Sequence, residues 1–151
     1  MIRIAICAPS TPLAPEDIAR LCALAKAEFA QVELHVHPQS TASHGHFAGP
    51  DDVRLAAFLE CANDPAFDAV WFARGGYGAC RIAEAAIERL DHVAKGKVWL
   101  GYSDAGYLLA GLYRNRIGRP VHGPMPVDIR REGGEAAVRR ALAYLAGDTR
   151  G

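Results

Sequence analysis

Three short, mostly apolar runs constrain this chain most: Arg3 to Ala8 (RIAICA), Ala69 to Ala73 (AVWFA) and Val98 to Leu100 (VWL). Each ends at a proline or glycine turn, and each leads on to a segment whose apolar residues recur at helical spacing. Runs too short for helices, flanked by such turns, read as strands buried on both faces. Strand, turn and helix repeated in this way give right-handed crossovers and a mostly parallel sheet covered on both sides. The 151 residues suffice for one domain with a real core and are read as a single unit, 1–151.

Between the strands, the punctuation is specific. Pro15, with Glu16 and Asp17 behind it, opens a helix carrying Ile18, Leu21, Cys22, Ala25 and Phe29 inward. Val32, Leu34 and Val36 then alternate with Glu33, His35 and His37, which marks a second strand at a sheet edge. Residues 38–49 are polar, small and without period, a surface loop. His35, His37, His44 and His46 lie in or near it, but no acidic or cysteine ligand stands at a convincing spacing, so no metal is expected. Pro50, Asp51 and Asp52 start another helix, with Val53, Ala56, Ala57 and Cys61 as its inner face. After the third strand comes a helix from Ala79 to Leu90. Pro120 to His122 is a short fifth strand, and Glu135 to Leu145 a final helix that turns Val138, Leu142 and Leu145 inward and Arg139 and Arg140 to water.

Seventeen basic and 17 acidic side chains balance, so nothing favours nucleic acid. The N-terminus lacks a long apolar signal region, and no apolar run approaches a membrane span. The expectation is a cytoplasmic protein. Cys7, Cys22, Cys61 and Cys80 are scattered singly and read as reduced, packed thiols.

Two turns carry chemistry. Arg74 to Gly78 (RGGYG) places three glycines in four residues at a strand exit, letting backbone amides approach a ligand. The run GGYGAC does not fit GxGxxG, so no dinucleotide cofactor is expected. Arg74 beside such a turn calls for an anion or a partner carboxylate. In Val98 to Gly106 (VWLGYSDAG) a strand turns sharply into a helix at Ser103. A serine there is lifted off the sheet edge, with the amide of Asp104 aimed into the same space, and suits a nucleophile with half an oxyanion hole. Alternatively, Ser103 merely caps the helix.

Ligands of such sheets bind beyond the carboxyl ends of the strands. Strand order 2-1-3-4-5, a flavodoxin-like or Rossmann-like three-layer α/β arrangement, puts Pro9 to Pro12, Arg74 to Gly78, Tyr102 to Asp104 and His122 to Met125 on one rim. Four special loops on one rim favour the catalytic reading. The rival is a non-catalytic flavodoxin-like domain holding an anionic ligand with Arg74 and the amides after Gly75.

Taken together, APSTP at Ala8 to Pro12, RGGYG at Arg74 to Gly78, GYSD at Gly101 to Asp104 and HGPM at His122 to Met125 resemble the serine-type LD-carboxypeptidases. That group also contains the microcin C self-immunity peptidases. GPDDVRLAAF and NDPAFDAV add to the likeness, which covers nearly the whole chain. The resemblance implies a two-domain hydrolase, without cofactor, that removes terminal D-alanine from murein tetrapeptides in peptidoglycan recycling. This chain would be its amino-terminal, nucleophile-bearing domain, and the protein a possible homodimer. Ser103 would be the nucleophile, the amides of Asp104 and Gly76 the oxyanion hole, and Arg74, Gly75 and Tyr77 part of the substrate cleft. The general base, a histidine paired with a glutamate, would come from a carboxy-terminal domain lying outside residues 1–151, leaving these residues nearly inactive alone. His122 sits on the same rim, but the HGPM histidine is not the family's catalytic one.

Overall fold

The apolar runs form the centre of a five-stranded, all-parallel sheet in the order β2-β1-β3-β4-β5. A computed structural model describes residues 1–148. The strands are β1 (Ile2–Cys7), β2 (Val32–Val36), β3 (Ala69–Phe72), β4 (Val98–Gly101) and β5 (Arg119–His122). The α-helices between and after them are α1 (Pro15–Glu28), α2 (Asp51–Asn63), α3 (Ala79–Glu88), α4 (Gly106–Arg114) and α5 (Gly134–Leu145). The expected three-layer α/β fold and strand order are therefore present. β3, buried at every residue, lies in the middle, and β2 alternates half-buried with exposed residues at one edge.

Ile4, Ile6, Trp71, Phe72, Trp99 and Leu100 form the core's large residues, with Phe58 of α2 stacked between Phe72 and Trp99. Burying each such side chain contributes roughly 1.5–3 kcal/mol. Val138, Leu142 and Leu145 of α5 face inward as expected. Arg140 is exposed, whereas Arg139 is half-buried and ion-paired with Glu28 and Glu135.

Three local expectations are corrected. Val53 and Ala56 are exposed, because α2 is rotated to bury Arg54, Ala57, Phe58 and Leu59. Cys22 is exposed, since Leu24 takes the inward position on α1, and Cys80 is only half-buried. Cys7 and Cys61 are buried together, and their mutual contact, with burial, pushes the Cys7 thiol well up. The loop 38–49 is not simply a surface loop: Pro38–Thr41 is a 3-10 turn that buries Gln39 and Ser40. Gln39 bonds Ala8 through both its carbonyl and its amide, and also donates to the Ala48 carbonyl. His37 pairs with Glu60 and His35 stacks on Phe67. Among the described residues, no group of three or more His, Cys, Asp or Glu could hold a metal, and no helix is long and apolar enough to cross a membrane.

Arg54 explains the rotation of α2. Its guanidinium, fully buried, donates to the carbonyls of Pro9, Gly49 (3.0 Å) and Gly78 (2.9 Å), and pairs with Asp51. Burial, the main cause, lowers its pKa from the usual guanidinium value. One cation thus ties together the loops after β1 and β3 and the turn before α2. Replacing it leaves buried carbonyls without donors, so Arg54→Ala should cost about 3–5 kcal/mol in urea denaturation. Arg54→Lys should recover only part of that, because an ammonium cannot fork to separated acceptors.

Candidate active site

Ser103 stands immediately beyond β4, exposed, at the start of a single 3-10 turn, Ser103–Ala105, that runs into α4. Its φ is +58°, a left-handed conformation that a non-glycine residue adopts at a cost of order 1–3 kcal/mol. The surroundings enforce it. The carboxylate of the next residue, Asp104, is buried and accepts hydrogen bonds from Ser10 Oγ (2.5 Å) and the Ala79 amide (2.8 Å). With Asp104 pinned below and Gly101 ending the strand, the backbone between them bends outward and carries Ser103 to the rim.

The glycine-rich loop abuts this serine. A Cβ built on Gly75 would lie 3.0 Å from both Cβ and Oγ of Ser103 and 3.6 Å from the Asp104 amide nitrogen. Gly76 has φ +114°, and a Cβ there would meet Thr11 Cγ2 at 2.5 Å. Thr11 in turn donates from its hydroxyl to the Gly75 carbonyl at 2.5 Å. The loops after β1, β3 and β4 therefore interlock, and Ser103, Gly75, Gly76 and Arg74 share a cleft of about 370 Å³ with Tyr102, Met125, Val127, Arg130 and Arg131. Tyr77 points elsewhere on the rim: it is exposed, with His46 and Phe47 as ring neighbours at 6.0 and 5.9 Å.

Tyr102 is the wall between this cleft and a second, of about 500 Å³, which holds His122, Gly123 and Pro124. Its hydroxyl donates to Asp128 at 2.8 Å and receives Arg131 at 3.3 Å, while its ring meets His122 edge-on at 5.9 Å. Burial first, then the bond to Asp128, hold the phenol above its ordinary pKa, so it stays a neutral donor. His122 thus lines the neighbouring cleft rather than the one containing Ser103. The HGPM loop is itself fixed by Trp71, whose indole donates to the Pro124 carbonyl at 2.8 Å.

The motifs indicate the rim but not its fasteners. Ser10 and Thr11 lie within APSTP, where small polar residues after a strand read equally well as a turn. Arg54 has the spacing of an ordinary helix-surface partner for Asp51. Asp128, Arg130 and Arg131 belong to a 3-10 turn, Pro126–Arg130, and its exit, which carry no periodic signal.

Residues 4–123 match the family model described as the LD-carboxypeptidase N-terminal domain. The chain is 33% identical over 122 residues to a probable murein peptide carboxypeptidase of Bacillus subtilis, covering 81% of this chain and 37% of that protein. Among solved structures, a muramoyltetrapeptide carboxypeptidase from Oxalobacter formigenes matches with TM-score 0.64 and 30% identity over 80% of this chain and 40% of that one. The microcin C7 self immunity protein MccF, in complex with aspartyl sulfamoyl adenosine, shares the fold at TM-score 0.73 and 19% identity, over 99% of this chain and 46% of its own. The chain spans about two fifths of the length of these proteins. It belongs to the LD-carboxypeptidase family and carries that family's N-terminal domain.

Proposed function

We propose that this chain is the nucleophile-bearing half of a serine-type LD-carboxypeptidase that releases terminal D-alanine from murein tetrapeptides, acting in the cytoplasm on peptides recovered from the cell wall. The observation that carries the reading is an exposed serine with left-handed backbone at a strand-to-helix turn, packed against a second glycine-rich turn.

In this mechanism Ser103 Oγ attacks the carbonyl carbon of the last peptide bond. Negative charge gathers on the carbonyl oxygen and is received by the Asp104 and Gly76 amides, which need no reorganisation at that moment. The C–N bond breaks and the amine leaves with a proton, giving an acyl-serine that water hydrolyses. Arg74 and Gly75 border the substrate in the Ser103 cleft, whereas Tyr77, expected with them, lies outside that cleft and takes no part in this step. The serine proton needs a base, and among the described residues no histidine or carboxylate lines the Ser103 cleft, so we assign it to the remaining length of the enzyme. Structures of the microcin immunity type share the fold at under 25% identity, whereas the murein-related proteins are closer in sequence, which favours the murein substrate.

The test fuses residues 1–151 to the remaining length of the Bacillus subtilis relative and measures D-alanine release from murein tetrapeptide. The fusion should be active, and Ser103→Ala should reduce turnover roughly 10⁴-fold or more. Retention of activity by that variant would overturn the assignment. Residues 1–151 alone should be slower than the fusion by several orders of magnitude. A normal rate from them would make His122 the leading candidate for the base. Gly76→Ala, which forces a Cβ against Thr11 in a left-handed backbone, should lower stability by about 1–3 kcal/mol in a thermal melt and turnover of the fusion by roughly 10²-fold.

A further inference from the structure

The three arginines of the Ser103 cleft are not equivalent. Arg130 is committed to Asp17, a buried carboxylate on α1, through Nε at 2.9 Å and through Nη2. Arg131 faces Asp128 at 3.5 Å and the Tyr102 hydroxyl at 3.3 Å. Arg74, half-buried, meets no carboxylate among the described residues. Its guanidinium donates to the neutral Pro12 carbonyl at 3.3 Å, a long bond that engages a single nitrogen. A guanidinium offers five donors in a planar fork, and a partly buried one without a counter-charge matches a planar oxyanion taken through two nitrogens.

Its place along the chain narrows which oxyanion. Arg74 immediately precedes Gly75 and Gly76, the turn that touches Ser103. A carboxylate at the end of a peptide lies one residue beyond the last peptide carbonyl. A cation one or two residues from the amide that receives the oxyanion is therefore suited to hold that terminus while the serine attacks. Arg130 and Arg131, tied to acidic groups, line the same cleft and add little free charge.

Resting on the reading of Ser103 as nucleophile, we propose that Arg74 anchors the free α-carboxylate of the substrate and so confines the cleft to the last peptide bond. An amidated terminus keeps the same shape but loses the charge-assisted pair and leaves Arg74 covered without a counter-ion. That should weaken binding about 10- to 100-fold.

The experiment measures binding of murein tetrapeptide and of its C-terminal amide to residues 1–151 carrying Ser103→Ala, by NMR titration. The acid should bind at least about 10-fold more tightly than the amide. Adding Arg74→Gln should bring the ratio close to one, through loss of acid affinity and with amide affinity held or raised because no uncompensated charge is covered; the persisting amide binding also reports an intact cleft. Adding Arg131→Gln instead should preserve the ratio. Equal binding of acid and amide by the parent, or discrimination that survives Arg74→Gln, overturns the anchor. If the fusion still releases D-alanine through Ser103, the anchor alone has failed. If neither peptide binds and the fusion is inert, the peptidase reading fails with it.

Discussion

Two buried ions of opposite sign hold the rim together by gripping the same stretches of backbone from opposite sides. Arg54 takes the carbonyls of Pro9 and Gly78, and Asp104 takes the hydroxyl of Ser10 and the amide of Ala79. The Gly78–Ala79 peptide group is therefore satisfied at both ends by charge-assisted bonds. Burying either ion by itself would be prohibitive. Together with neutral backbone dipoles to satisfy them, they convert three independent loops into one rigid piece.

That rigidity matters because the sheet supplies direction but not precision. Parallel strands deliver their following loops to a common edge, and a loop left to itself would sample many conformations. Here the side chains that would otherwise be free are used as cross-links: Gln39 on Ala8 and Ala48, Thr11 on Gly75, Trp71 on Pro124 and Tyr102 on Asp128. Most join a residue close to one strand end to backbone from another loop. The cleft walls thus inherit their geometry from the core, and the arginines within it are distinguished by which acids the fold places against them.

The architecture was legible because β1, β3 and β4 are buried on both faces, and a fully buried strand leaves little freedom in its sequence. The rim loops were legible because glycine and proline punctuate them. What escaped reading was anything decided by the rotation of a helix about its axis or by contact between distant loops. Burying Arg54 runs against the hydrophobic pattern of α2, and only the carbonyls it meets make that choice favourable. Cys22 and Leu24 are comparable apolar choices on α1, and packing against the neighbouring strands decides between them. Asp128 and Tyr102 are too far apart in sequence for spacing to signal their pairing.

The left-handed backbone at Ser103 carries an evolutionary consequence. Threonine, branched at Cβ, is penalised more heavily in that conformation than serine, so exchanging one hydroxyl for the other is obstructed by the main chain before any chemistry is considered. Glycine or asparagine would instead relax the turn and make the fold more stable while removing the hydroxyl. Serine in that place therefore carries a standing stability cost, which the bonds that pin Asp104 beside it must offset.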